Sequence, residues 1–151
     1  MSYFSKEKTI RLKLIRDVTK HIKRGNPWVF ADAIEKVKGE DGTYAILTNH
    51  KKEVIAHGIF ANNINLTFRV LSIGDKKFGP RDVEHRIDIA IKNKIHLLNE
   101  TNQCFRVLNG EGDDLPGIVA DYYQGVLVLK LDGEACEAFW NKDALAEYFY
   151  N

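Results

Sequence analysis

The sequence predicts a mainly β protein with some helix: a small β-barrel over residues 1–79, then a partial α/β domain over 80–151 built as helix, three strands and helix. Three observations predict it. Short apolar runs recur between residues 9 and 71 with Gly, Asn and Asp between them, the pattern of a small barrel or sandwich. After Gly79-Pro80 the hydrophobic period changes from about two residues to three or four. Residues 105–131 then read as strand, polar turn, strand, tight turn, strand.

Residues 9–15 alternate, with Ile10, Leu12 and Leu14 on one face and Arg11 and Lys13 on the other, an opening strand with one wet side. Residues 17–24 form a polar segment of one or two helical turns that Gly25-Asn26-Pro27 breaks. Trp28-Val29-Phe30 follows as an apolar anchor, with Trp28 and Phe30 expected in the core. Further strands are expected near 35–37, 44–48, 54–60 and 66–71, separated by Glu40-Asp41-Gly42, Asn49-His50-Lys51-Lys52 and Asn62-Asn63.

Val83, Ile87, Ile91, Ile95 and Leu98 recur at helical spacing, which predicts an amphipathic helix over 82–98 with Asp82 as its N-cap. Gln124-Gly125 is a tight turn between the last two strands. Cys136, Trp140, Ala144 and Tyr148 line one face of a closing helix, with Phe139, Leu145 and Phe149 beside it. These elements are few for a closed core, because regions below ~70–80 residues rarely stabilise themselves alone. Trp140, Tyr148 and Phe149 therefore predict that more chain, or a partner, covers this end.

Asn109-Gly110-Glu111-Gly112-Asp113-Asp114-Leu115-Pro116-Gly117 packs three glycines, a proline and three carboxylates into nine residues. Glycines reach backbone angles that other residues avoid, and proline fixes one more. Such a loop is a costly structural corner or a surface that something else must fit. Its carboxylates could suit acid–base work or a hard cation, but the spacing is not that of a divalent-ion loop, and a turn-stabilising role is favoured. No metal site is expected here or among the histidines His21, His50, His57, His85 and His96, which share no ligand spacing. Cys104 and Cys136 lack a CxxC partner and are expected to be small buried residues.

A hydrophobic content of 44% excludes general disorder. No apolar run reaches the roughly 18 residues that span a bilayer, and the N-terminus lacks an apolar signal core, so a cytoplasmic protein without a membrane partner is expected. The net charge of +1 hides a gradient: residues 1–30 carry eight Lys/Arg against two Asp/Glu, and residues 110–151 carry two against nine. A basic head can meet phosphates, which an acidic tail repels.

Two segments resemble a known family. Arg24-Gly25-Asn26-Pro27-Trp28-Val29-Phe30 looks like the RGHPWVF signature of a PUA-type RNA-binding domain, and Phe68-Arg69-Val70-Leu71-Ser72 resembles that domain's last strand. Residues 106–117, with Asp121-Tyr122-Tyr123, resemble the RLVNGEGDGLPGLIVDRY signature. Both occur in this order in the ribosomal RNA large subunit methyltransferase I family, whose members use S-adenosylmethionine to methylate carbon 5 of a cytosine in ribosomal RNA. The resemblance implies a PUA-like barrel over 1–79 and an incomplete central α/β domain over 80–151. It departs at Asn26 (usually His), Asp114 (usually Gly) and Tyr122 (usually Arg).

The resemblance implies RNA, ribosomal in kind, as partner, with Lys20, Lys23, Arg24, Asn26, Lys51 and Lys52 as binding residues. The bland alternative for the lysines is a solvated charged face. Asn109, Glu111, Asp113 and Asp114 would form a loop that docks a catalytic domain. No catalytic residue is expected in this chain, and neither cysteine resembles the family's catalytic motif. S-adenosylmethionine is expected only where a catalytic domain follows, since no glycine-rich strand-to-helix turn here could hold it. A fragment or shortened relative that is inactive alone is the expected protein. The alternative is a protein-interaction module that docks a separate catalytic subunit or self-associates through exposed strand edges.

Overall fold

The computed structural model describes residues 2–62 and 64–151, so Asn63 of the expected Asn62-Asn63 turn lies outside it. The fold is mainly β with some helix, in two sheets. The first has the order β1 (Thr9–Lys13), β3 (Thr43–Thr48), β4 (Val54–Phe60), β5 (Leu66–Ile73), β2 (Trp28–Phe30). β1 runs parallel to β3, and the remaining neighbours are antiparallel. The chain after β2 returns to β1: Ile15 N–H donates to Ala33 O at 2.9 Å and Glu35 N–H to Lys13 O at 2.9 Å, which draws the sheet towards a barrel.

The strand expected at 35–37 is absent. Its place is taken by β2, followed by a 3-10 turn at Ala31–Ala33 and the single bridge Leu14–Ile34. The tripeptide Trp28-Val29-Phe30 is thus a strand with strand alternation, not an anchor buried throughout. Val29 is 2% exposed, whereas Trp28 is 42% and Phe30 39% exposed, which corrects the expectation that both aromatics are core.

β4 buries every position except Val54 because both of its faces are covered. One face joins Leu12, Leu14, Ile22, Val29, Leu47 and Phe68 inside the barrel. The other, through Ile59 with Tyr44 and Leu71, packs on the second half of the chain. That second half begins with α1's successor α2 (Pro80–Lys94), α1 being the short helix Thr19–Lys23. A second sheet β6 (Cys104–Asn109), β7 (Ile118–Tyr123), β8 (Val126–Leu131) follows, then α3 (Glu134–Phe139) and α4 (Lys142–Tyr150). Its core is completed by the barrel's outer face, which is how so few elements become buried.

α2 starts two residues earlier than expected and gives way to a 3-10 turn at Ile95–Leu97. Gly79 is its N-cap, and Asp82, in the first turn, accepts the Gly79 N–H at 2.9 Å. The closing helix is broken in two. Asn141 accepts the Ala144 N–H at 3.1 Å as the N-cap of α4, and Trp140 is extended there, bridging to Phe4. Phe4 stacks on Phe139 at 4.9 Å and on Phe78 at 5.5 Å, so the N-terminal tail ties the barrel to α3. The Gln124-Gly125 turn has positive φ at both residues, 46° and 90°, the I′ geometry that suits a hairpin. Cys136 is buried as expected, but Cys104 is exposed at the head of β6. Among the described residues no helix is long and apolar enough to cross a membrane.

His57 on β4 is 1% exposed and neither ring nitrogen has a hydrogen-bond partner. Burial lowers its pKa below the ordinary 6.5, against the opposing pull of Asp75. The unfolded chain therefore binds this proton more readily than the folded one. Stability is expected to fall as pH drops below 6.5, in the interval above the carboxylate range. His57→Leu removes the group, so its thermal midpoint is expected to be flatter between about pH 7.5 and about pH 5.5 than that of the unaltered chain.

Candidate nucleic-acid interface

Strand register places the basic residues at one end of the barrel. Because β1 and β3 are parallel and β3, β4, β5 and β2 alternate, the ends of β1, β3 and β5 lie with the starts of β2 and β4. α1 leaves from the end of β1 and leads into β2, and the β3–β4 turn sits at the same end. Lys20, Lys23 and Arg24 on the first segment and Lys51 and Lys52 on the second are all exposed, without salt-bridge partners among the described residues.

Local chemistry fixes both segments. Asp17 Oδ1 accepts the Thr19 N–H at 3.0 Å, an Asx turn that leads the chain into α1. Its carboxyl lies below the usual carboxylate range, chiefly through that bond and the Thr19 hydroxyl, with lesser help from the charges of His50 and Lys20. Ile22 anchors the helix inside the barrel at 1% exposure. Gly25, at φ 96°, ends it in a Schellman turn: Gly25 N–H donates to Ile22 O at 2.9 Å and Asn26 N–H to His21 O at 3.0 Å. Asn26 Oδ1 accepts the Trp28 N–H at 3.1 Å and starts β2. In the β3–β4 turn, Asn49 Oδ1 accepts from the N–H groups of Lys51 at 2.9 Å and Glu53 at 3.0 Å, while Lys52 takes the left-handed conformation.

The acidic loop is engaged within this chain. Glu111 accepts the Trp28 indole N–H at 2.9 Å and pairs with Arg69 of β5. Burial works to raise the Glu111 pKa, but Trp28, its own backbone N–H and Arg69 together hold it below the ordinary value. Asp113 accepts from Lys94 of α2 at 2.6 and 2.8 Å and from Asn109 N–H at 2.7 Å. Asp114, where the resembled signature has glycine, sits at φ 58°, a left-handed angle that Asp tolerates. Its carbonyl accepts from Arg86 at 2.5 Å. Pro116 O accepts the Trp140 indole N–H at 2.8 Å. Among the described residues no group of three His, Cys, Asp or Glu converges on a cation position.

Sequence reading did not find the Trp28–Glu111–Arg69 contact, whose ends lie 83 residues apart. One local signal pointed to it: Arg69 is a charge between Phe68 and Val70 in a buried strand, a position that calls for a partner.

Residues 3–73 match the family model described as a PUA-like domain. The chain is 31% identical over 134 residues to the ribosomal RNA large subunit methyltransferase of Deinococcus radiodurans, a match spanning 81% of this chain and 32% of that protein. It is 31% identical over 116 residues to the ribosomal RNA large subunit methyltransferase I of Pseudoalteromonas translucida, spanning 74% of this chain and 29% of that protein. A candidate SAM-dependent methyltransferase structure from Streptococcus mutans superposes with a TM-score of 0.74 at 13% identity, over 93% of this chain and 37% of that one. At that identity the likeness concerns the fold alone. The chain spans about one third of the length of the curated relatives it matches.

Proposed function

We propose that this chain, homologous over most of its length to the ribosomal RNA large subunit methyltransferase I family, is the RNA-docking part of a methyltransferase-like protein. Ribosomal RNA is the partner, and the basic end of the barrel grips it. The observation that carries this reading is the convergence of Lys20, Lys23 and Arg24 with Lys51 and Lys52 at one end of a PUA-like barrel. Asn26 fixes the turn between the two contact elements. The carboxylates Glu111 and Asp113, which would repel phosphate, are paired with Arg69 and Lys94.

In this reading residues 1–79 are the RNA-binding unit and 80–151 an α/β unit of the methyltransferase, and the chain is not catalytic by itself. Methylation of cytosine carbon 5 begins with thiolate attack on carbon 6. Burial pushes the Cys136 thiol up to about 11, so it stays protonated, and Cys104 stands outside the acidic loop at the head of β6. The described residues do not fit S-adenosylmethionine. The glycine-rich loop leads through a 3-10 turn into β7, not into a helix, and Gly117 is packed against Cys136. Methyl transfer thus belongs to a further domain or subunit; of the loop's carboxylates Glu111 and Asp113 are paired within this chain, while that of Asp114 is exposed and has no partner among the described residues.

Titrating a structured ribosomal RNA fragment with the chain at several salt concentrations tests the reading. Five engaged Lys/Arg residues predict that log affinity falls with log salt with a slope of about −3.5 to −4.5. Absence of salt-dependent binding overturns it.

A further inference from the structure

Beyond the barrel, α2 carries a second cationic surface. Every acid of this helix is engaged: Asp82 with Lys76 at 2.8 Å, Glu84 with the Tyr3 hydroxyl at 3.1 Å and Asp88 with the Tyr148 hydroxyl at 2.8 Å. Arg86 and Lys94 are engaged too, with the Asp114 carbonyl and with Asp113. Arg81 and Lys92 remain, exposed and without a salt-bridge partner among the described residues. At the α-helical repeat Arg81, His85 and Lys92 fall within an arc of about 40°, and Arg81 to Lys92 spans about 17 Å. The buried Val83, Ile87 and Ala90 lie on the opposite side. The stripe continues back to the barrel. Gly74 N–H donates to Ile55 O at 2.7 Å, next to the Lys51-Lys52 turn. Residues 75–79 cross the sheet from there, and Phe78 N–H donates to the Tyr44 hydroxyl of β3 at 3.2 Å. Lys77 on this crossing is exposed and has no salt-bridge partner among the described residues, and Lys6 Nζ donates to Phe78 O at its end.

We infer that Lys77, Arg81 and Lys92 bind phosphates of the RNA held at the basic end of the barrel, so that α2 guides the strand across the second half of the chain. The inference rests on the RNA reading above and extends it from the barrel to α2. Residues 110–151 carry two Lys/Arg against nine Asp/Glu, which leaves α2 as the cationic path through an otherwise acidic region. His85, exposed between Arg81 and Lys92, offers a ring N–H to the same oxygens. Glu84 and Asp88 border the stripe, but their bonds draw them toward Tyr3 of the N-terminal tail and Tyr148 of α4. An acidic protein surface would meet the same charges, and Ile89, 43% exposed at the stripe's edge, would suit it. The succession from Lys51 and Lys52 through Lys77 to Arg81 favours RNA, because one flexible polyanion can follow all of it.

The test uses two RNAs, a short ribosomal RNA hairpin and the same hairpin with a single-stranded extension long enough to run the length of α2. The intact chain is expected to bind the extended RNA about ten-fold more tightly, with a salt slope steeper by about two. Lys77→Gln, Arg81→Gln and Lys92→Gln combined are expected to abolish both gains. Affinity for the short hairpin and the thermal midpoint are expected to stay unchanged, since all three side chains are exposed. Equal affinity and slope of the unaltered chain for both RNAs, or a gain that the triple variant keeps, overturns the α2 path while the RNA reading stands. Loss of the gain in the presence of polyglutamate, with the short hairpin still bound, assigns the stripe to an acidic protein surface and likewise overturns the inference. Failure to bind either RNA overturns both readings.

Discussion

Glu111→Ala is expected to destabilise the chain by about 2–3 kcal/mol, lowering the thermal midpoint by roughly 5–10 °C. The substitution removes the partner of Arg69, whose side chain is 14% exposed against 18% for Glu111. Truncating one member of a largely buried pair leaves the other charge desolvated without compensation, and that penalty exceeds the net value of the pair. Partial exposure places the effect below the upper range for fully buried pairs. The Trp28 indole also loses its acceptor. Glu111→Gln retains an oxygen for Trp28 while losing the charge, so its loss is expected to be smaller. Calorimetric unfolding of the three proteins separates these contributions, and a shift under about 2 °C for the alanine variant would mean that the contact carries no load.

Gly117→Ala is expected to cost about 3 kcal/mol or more. Two independent causes act together. Gly117 sits at φ 75°, where an L side chain costs about 1–2 kcal/mol. An added Cβ would also lie 2.3 Å from Cys136 Sγ and 2.6 Å from its Cβ, atoms of the buried α3 face that cannot move away freely. Gly125 supplies the control. It has φ 90° but open space around it, so Gly125→Ala is expected to show the backbone cost alone, about 1–2 kcal/mol. Chemical denaturation of both variants measures the difference, and equal losses would contradict the packing account.

The barrel strands and α2 were legible because their information is local. Ile10, Leu12 and Leu14 repeat at period two, and Val83, Ile87 and Ile91 at helical spacing. Trp28 and Phe30 were misread because three apolar residues in a row were treated as one buried block, when a strand exposes alternate members. The break at Asn141 was hidden because the apolar period runs through it, although Asn is also an N-cap residue. Tyr3 and Phe4 carry no period at all; Tyr3 meets Tyr148 edge to face and Phe4 packs against Phe139 and Trp140, all remote in sequence.

The candidate site divides in the same way. The basic character of residues 20–24 and 51–52 is written in the sequence. Their meeting at one end is not, since it follows from β1 lying parallel to β3. The acidic loop was recognisable as a corner needing glycines, and its positive-φ positions at Gly110, Asp114 and Gly117 bear out the conformational part of that reading. Its partners Arg69, Lys94 and Arg86 come from three other places in the chain.

The central claim, that the basic end of the barrel grips RNA phosphates, is tested most directly by Lys23→Glu with Arg24→Glu. Both side chains are exposed, so the fold is expected to survive with an unchanged thermal midpoint. Affinity for a structured ribosomal RNA fragment is expected to fall about 100-fold, and the salt slope to shrink by about two. Affinity and slope equal to those of the unaltered chain would contradict the account.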